Sequence, residues 1–198
     1  MNTHEIILRV AGAEFAEHGL AGARVDRIAM RANINKAMIY YHFRSKDQLY
    51  QAVIENHVQS IGQFLEGAFT EESGLETFLF KLARFYNSIA SERSTFVPIL
   101  LREIASGGER FRVALSNVIV EKGLSRKFQK IIDDGAAKGE LRKVDSKQAI
   151  ISFIGMNIFY IMVAPMINQV WEIHDERAFR ENRPQEVVDL FLYGLKAR

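Results

Sequence analysis

Apolar positions along this 198-residue chain recur at spacings of three and four, and no strand-like alternation persists. That periodicity predicts helices throughout. An opening helix over 3–18 carries Ile7, Val10, Ala11 and Phe15 on one stripe and stops at Gly19. Short helices follow over about Val25–Ala32 and Lys36–Phe43. Ser45 and Gln48, spaced S-x-x-Q, are the capping signature of a long helix that runs to about Phe69. Further helices are expected over 74–91, 95–105 and 109–138, with breaks at Ser91-Glu92-Arg93 and at Gly107-Gly108. Asp145 and Gln148 repeat the capping signature ahead of an apolar helix over about 146–166. Pro184 suits the first turn of a last helix that reaches about Lys196. The expected fold is all-α with about nine helices, divided into a three-helix domain over 1–46 and a larger helical domain over 47–198.

Residues 31–46 read RANINKAMIYYHFRSK and hold Arg31, Lys36, Arg44 and Lys46, two tyrosines and His42, with no acid among them. Ile28, Ala29, Ala32, Ile34 and Ile39 supply the apolar set of two helices that meet at a sharp turn. Asn33 stands where that turn needs a left-handed backbone, which asparagine tolerates better than other non-glycine residues. Asn35 can cap the third helix. Taking Ile39 as the inward direction and stepping about 100° per residue, Phe43 and Asn35 fall near the buried side. Ala37 and Tyr41 then point away, Met38 and Tyr40 lie on the flanks, and Lys36 and His42 lie between flank and core. Such a helix, small or apolar in the middle and hydrogen-bonding at its edges, suits a DNA major groove: central side chains meet base edges and the flanks reach phosphates. Lys46, at the start of the next helix, adds a phosphate contact.

The segment 19–49, GLAGARVDRIAMRANINKAMIYYHFRSKDQL, strongly resembles the DNA-binding domain of TetR-family transcriptional regulators. The shared pattern includes Phe15, Gly19, Ile28-Ala29, Ala32, Ile34, Lys36, Ile39-Tyr40, His42-Phe43, Ser45-Lys46 and Leu49. Carried over by position, the resemblance implies DNA contacts from Lys36, Tyr40, Tyr41, His42 and Lys46. In this chain Asn33 replaces the usual glycine, and Arg24 stands where a Ser or Thr commonly caps the second helix. Asp26 in the first turn can offset the missing cap through the helix dipole, while Arg24 can reach a phosphate. The run 138–149, KGELRKVDSKQA, looks like the link into the penultimate helix of many members. By that resemblance the last two helices pair with their copies in a second subunit. Ile151, Ile158 and Met162 on one helix and Val188, Phe191, Leu192 and Leu195 on the other are the expected interface. The apolar helix points the same way, because a helix apolar all round needs cover on two sides. The middle helices would enclose a pocket for an apolar or aromatic effector. Its expected walls are Phe64, Leu82, Phe85, Tyr86, Leu100, Phe111 and Phe153, and its expected polar groups are Arg102, Asn117 and Asn157.

Composition narrows the function. A hydrophobic content of 48% with 25% charge is that of a folded globular protein. The net charge of +2 resides in residues 1–50, which carry seven basic and five acidic side chains. The absence of cysteine excludes disulfides and thiolate metal sites and fits a reducing cytoplasm. The N-terminal stretch is charged throughout, unlike a signal peptide. Residues 149–167 carry no charge, which is near the lower limit for a bilayer span. Ser152, Asn157 and Pro165 interrupt that stretch, and cover by protein on all sides is expected instead. There is no nucleophile elbow, glycine-rich phosphate loop or H-E-x-x-H motif, so no enzyme, cofactor or metal is expected. The sequence reads as a cytoplasmic, homodimeric repressor that binds a palindromic operator in double-stranded DNA and is released by a small effector. A helical interaction scaffold, or a helical enzyme whose basic N-terminal unit has another role, is the alternative.

Overall fold

The computed structural model describes residues 2–68, 74–91, 95–120 and 123–195, and every regular element among them is helical. In chain order the elements are α1 (Thr3–Gly22), α2 (Val25–Ala32), α3 (Lys36–Phe43), α4 (Lys46–Ala68), α5 (Leu75–Ser91), α6 (Phe96–Ala105), α7 (Glu109–Leu115), α8 (Leu124–Ala137), α9 (Ser146–Val170) and α10 (Glu176–Leu195). The bounds of α2 and α3 are those expected. Ser45 Oγ accepts the Gln48 N–H at 3.1 Å where α4 opens, and Asp145 Oδ1 accepts the Lys147 and Gln148 N–H groups where α9 opens. The expected ends at Phe69 and Lys196 lie outside the described residues.

Two expected helix bounds are corrected. Residues 109–138 do not form one helix. The chain widens into a π-helical turn over Ser116–Val120, and α8 starts afresh after Gly123, whose φ of 67° is left-handed. The last helix starts at Glu176 rather than at Pro184, because the Asp175 carboxylate accepts the Ala178 N–H at 2.8 Å and supplies the cap. Pro184 therefore lies inside α10.

Two compact units result, one built from Met1–Gly62 with Arg93–Val118, the other from Gln63–Glu92 with Ile119–Arg198. The first takes in α6 and α7 as well as the segment 1–46, and α4 contributes to both. In the first unit α1 packs on α2 and α6, α2 on α3, and α6 on α7. Ile7, Phe15, Ile28, Ile39, Leu49 and Ile54 are its fully buried centre. Gly19, at φ 67°, kinks α1 near its end, and a β-carbon there would lie 3.2 Å from Arg102 Nε. That guanidinium donates to the carbonyls of Ala16 at 2.6 Å and Glu17 at 3.3 Å. Gly62 serves a closer approach still, since a β-carbon on it would stand 2.3 Å from Val118 Cγ1 in the π-helical turn.

In the second unit α5 packs on α10 and α9, and α8 packs on α9. Phe78, Leu79, Leu82, Phe128, Ile132, Phe153, Val188 and Phe191 belong to its core. The most apolar 18-residue stretch of helix α9 has a mean hydropathy of 2.0, so the helix is long and apolar enough to cross a membrane, yet only 17% of that stretch is buried by the chain itself. It is thus not enclosed on all sides as expected. Phe153, Asn157, Tyr160 and Asn168 turn inward, while Ile151, Phe159, Met166 and Val170 stay exposed. The inward polar groups are satisfied: Asn157 Nδ2 donates to the Phe153 carbonyl at 2.8 Å, and the Tyr160 hydroxyl donates to Asn168 Oδ1 at 3.2 Å. The interface expected on α10 is also corrected. Val188, Phe191, Leu192 and Leu195 are buried in the core of their own unit, and the outer face of α10 shows Leu190 and Tyr193 instead. Ile158 and Met162 on α9 are half-buried.

The Gly62–Val118 contact leaves no room for a methyl group. Gly62→Ala should lower stability by about 1–3 kcal/mol, the usual range for overpacking. Adding Val118→Ala should recover much of the loss in urea titrations. A single variant with the wild-type midpoint would contradict the close approach.

Candidate nucleic-acid interface

The first turn of α2 is held by an acid from another helix. Arg24 precedes α2 without any side-chain cap, but its backbone N–H donates to Glu14 Oε1 at 3.0 Å. The Glu14 side chain, on α1, is fully buried. It also accepts Arg27 Nε at 2.7 Å and Arg31 Nη1 at 3.3 Å, so it orients two basic side chains of α2 at once. Burial by itself raises the pKa of Glu14, but the hydrogen bonds from Arg27 and the Arg24 N–H outweigh it and hold the carboxyl below its ordinary value. The sequence reading missed this residue. Its signal was an acid in the apolar stripe of Ile7, Val10 and Ala11 at helical spacing.

The turn follows the local chemistry of its residues. Asn33 adopts φ 54° and ψ 46°, and the Ile34 N–H closes onto the Ala29 carbonyl at 3.1 Å. Asn35 Oδ1 accepts the Ala37 N–H at 2.8 Å and caps α3. Along α3, Ile39 and Phe43 are buried while Lys36, Ala37, Met38, Tyr40 and Tyr41 are exposed, Tyr41 to 80%. This is the order that helical stepping gives. Arg24 is exposed at the start of α2, and Arg44, at φ 57°, is exposed just beyond α3.

Two of the expected cations already have partners. The Lys36 ammonium lies 2.8 Å from Asp26 Oδ1, and the hydrogen bond that it donates to Asp26 holds its pKa above the ordinary lysine value. The Lys46 ammonium donates to the carbonyls of Ala21 and Ala23 at 3.3 and 3.2 Å, at the end of α1. Lys46 was expected only at phosphate; it also ties α4 to α1. The half-buried His42 ring sits 5.4 Å from the Tyr41 ring and 5.8 Å, edge-on, from His4. His4 in turn stacks on Phe43 at 4.8 Å. The first turn of α1, closed by the reciprocal Asn2–Glu5 capping bonds, thus stands beside the end of α3. Nothing in the sequence motif announces His4.

The ten residues expected to line one pocket divide between the units. Leu82, Tyr86, Phe153 and Asn157 are core of the second unit, where Phe64 and Phe85 stack at 4.1 Å with ring planes 9° apart. Leu100, Arg102, Phe111 and Asn117 belong to the first unit. There Phe111 packs edge-on to Phe96, Asn117 is exposed, and Arg102 is engaged at the end of α1. Hydropathy alone could not separate pocket wall from core. The second unit also bears an open groove, lined by residues that include Val144, Gln148, Ser152, Met156, Leu190 and Gly194.

Residues 7–53 match the family described as bacterial regulatory proteins, tetR family. A 49-residue segment is 51% identical to the HTH-type transcriptional repressor SCO4008 of Streptomyces coelicolor, covering 25% of this chain and 26% of that protein. Over 140 residues the chain is 29% identical to the HTH-type transcriptional repressor NicS of Pseudomonas putida, covering 71% of this chain and 66% of that protein. The match thus spans about a quarter of one relative and just under two thirds of the other. Among solved structures, the regulator FadR from Bacillus subtilis in complex with stearoyl-CoA has a TM-score of 0.73 and 17% identity, covering 96% of this chain and 98% of that one. That likeness is one of fold.

Glu14→Gln should destabilise the chain by about 1–3 kcal/mol near neutrality, the scale of a charged hydrogen bond lost in a buried site. A carboxyl whose folded pKa is depressed contributes stability that is fully present above its unfolded pKa, near 4.3, and is lost as pH falls through the folded value. The gap between wild type and Glu14→Gln should therefore close as the pH of urea titrations is lowered from about 5 toward 2. A gap that stayed constant with pH would mean that the charge on Glu14 contributes nothing.

Proposed function

We propose that this chain, which belongs to the tetR family of bacterial regulatory proteins, acts as a homodimeric repressor on a palindromic operator and is released by a small apolar or aromatic effector. The observation that carries this reading is α3. Its exposed side bears Lys36, Ala37, Met38, Tyr40 and Tyr41 without an acid, and Glu14, Asn33 and Asn35 fix its placement by hydrogen bonds and backbone conformation. Ala37 and Met38 are suited to thymine methyl groups, and Tyr40, Tyr41, His42 and Lys46 to phosphate oxygens. Lys36 would exchange Asp26 for a phosphate. Arg24 is free to reach the backbone from α2, and Asn35 serves as the cap that aims α3. The role is one of binding rather than catalysis, in the cytoplasm, with no metal or cofactor.

Two copies would present two α3 helices to successive major grooves about one turn apart. The exposed apolar residues of α9 and α10 supply the surface that a second copy would cover. The effector site is assigned to the second unit around the stacked Phe64 and Phe85. The fold relative FadR is described in complex with stearoyl-CoA, which supports an effector with much apolar surface. Helix α4 starts beside the end of α3 and its last residues, Gln63–Ala68, belong to the second unit, so it is the covalent link along which the effector would act.

Lys36→Ala should weaken operator and random DNA alike and lower the slope of log affinity against log salt by about one. Tyr41→Ala should reduce operator affinity with no change in thermal midpoint, because the side chain is exposed. A double variant that binds both DNAs as tightly as wild type would show that α3 does not read DNA.

An effector releases DNA only through preferential binding to the DNA-incompetent arrangement. A coupling of about 1–3 kcal/mol would shift operator affinity roughly 5- to 150-fold, and operator must weaken effector binding by the same factor. Titrations of apolar and aromatic acids and thioesters with and without operator measure both factors. Equal affinity in both titrations would exclude that compound as an inducer.

A further inference from the structure

The outer face of α10 carries a repeat that its own unit does not use. Phe179, Arg183, Glu186, Leu190 and Tyr193 follow one another at spacings of four, three, four and three, and lie within an arc of about 80°. Leu190 and Tyr193 are 67% and 84% exposed, and Phe179 rests one side of its ring on Tyr160 at 5.3 Å. Arg183 is half-buried. One Nη donates to the Met156 carbonyl at 2.9 Å, the guanidinium lies 4.6 Å from the centre of the Tyr160 ring, and Nε is buried with no acceptor. No carboxylate among the described residues bridges to Arg183, and no cation bridges to Glu186. The other polar pairs of α10 are satisfied one turn apart, Arg177 with Glu181 and Gln185 with Asp189, both at 2.8 Å. Arg183 and Glu186 are three residues apart but do not meet, because the guanidinium leans over Tyr160 toward α9. The chain alone therefore leaves a partly desolvated cation and a free acid on the same stripe.

A twofold axis resolves both. When a helix packs antiparallel on its own copy, a residue meets the partner position for which the two numbers have a constant sum. An axis passing between residues 184 and 185 sets Arg183 against the partner's Glu186 and Phe179 against the partner's Leu190. Sliding the register by seven residues in one direction puts Arg183 on the partner's Tyr193 and Glu186 on the partner's Leu190. Sliding it in the other puts Arg183 on the partner's Phe179. Only the first register matches charge with charge and apolar with apolar.

We propose that α10 packs antiparallel on its own copy in this register, with two reciprocal Arg183–Glu186 ion pairs across the twofold that select an identical chain as partner. The carboxylate arriving from the partner gives the half-buried guanidinium the anion that its own chain does not supply. A helix lacking either residue leaves that cation or acid uncompensated, which disfavours pairing with other apolar helices. This rests on the homodimer proposed above and adds its register and its basis of selectivity.

The test uses the full chain in analytical ultracentrifugation. Arg183→Glu and Glu186→Arg each place like charges across the axis, so each alone should raise the dimer dissociation constant roughly tenfold or more. Mixed one to one, the two variants regain both opposite-charge contacts and should dimerise with each other at near wild-type affinity. A mixture no tighter than its components, or variants that dimerise like wild type, would overturn the register. A second measurement holds even if a charge variant fails to fold. The chain has no cysteine, so Phe179→Cys and Leu190→Cys chains can be mixed under oxidation. The proposed register brings the two thiols together, and the mixture should cross-link. Each variant alone should not, since identical positions would lie about 16 Å apart along the helices, too far for a disulfide. Cross-linking of either variant alone, or none in the mixture, would refute the register. Phe159→Glu separates this from the dimer itself: if it yields monomers while the charge variants stay dimeric, the homodimer stands and the register falls. A monomeric wild type would remove both.

Discussion

Glu14 places a charge where the packing of α1 calls for an apolar side chain, and the placement of α2 and α3 is arranged around the consequence. A carboxylate out of contact with water is costly unless its oxygens are met. Here they are met by Arg27 and Arg31 of α2 and by the N–H of Arg24, the residue that precedes it. Because acceptor and donors lie on different helices, the requirement to satisfy the acid fixes how α2 enters and how it is rotated on α1. Asn33 and Asn35 then carry that placement on to α3. The chain has therefore replaced a local cap on α2 by a tertiary one.

The end of α1 is a second point of convergence. Its carbonyls from Ala16 to Ala23 receive the Arg102 guanidinium from α6 and the Lys46 ammonium from α4. Cations at a helix C-terminus satisfy carbonyls that have no partner within the helix and complement its dipole. Gly19 makes the site possible, since its left-handed backbone turns the chain and its missing β-carbon leaves room for Arg102. The three helices α1, α4 and α6 are thus joined by polar bonds beside the surface that bears α3. The direction of α1 at its end is thereby tied to those of α4 and α6.

The second unit follows a different economy. Its core takes one face each of α5, α8, α9 and α10, and the polar groups that turn inward on α9 are satisfied within the chain. What remains outside is apolar along α9 and mixed along α10, where Arg183 and Glu186 interrupt the stripe. Polar residues in an apolar contact weaken association in general while making one alignment better than its neighbours.

The sequence by itself determined whatever depends on atoms a few residues apart. The bounds of α2 and α3, the left-handed Asn33, the Asn35 cap and the sides of α3 all came from turn chemistry and a 3.6-residue period. The same local rules misjudged the 109–138 stretch, where apolar spacing continued although the π-helical turn over Ser116–Val120 interrupts the helix and Gly123 opens a new one. They also placed a helix start at Pro184, because a proline is tolerated at that position and the stronger cap at Asp175 was overlooked. Hydropathy marked Val188, Phe191, Leu192 and Leu195 as apolar contacts but assigned them to a second chain, whereas they pack in the core of their own unit. Tertiary structure alone decided the partners of Glu14, Lys46 and Arg102. Arg102 meets a carbonyl 86 residues away, and no periodicity carries that information. The reason is physical: capping, turn and helix preferences act along the backbone, whereas the partner of a buried charge is set by which helices the packing of the whole core brings within about 3 Å.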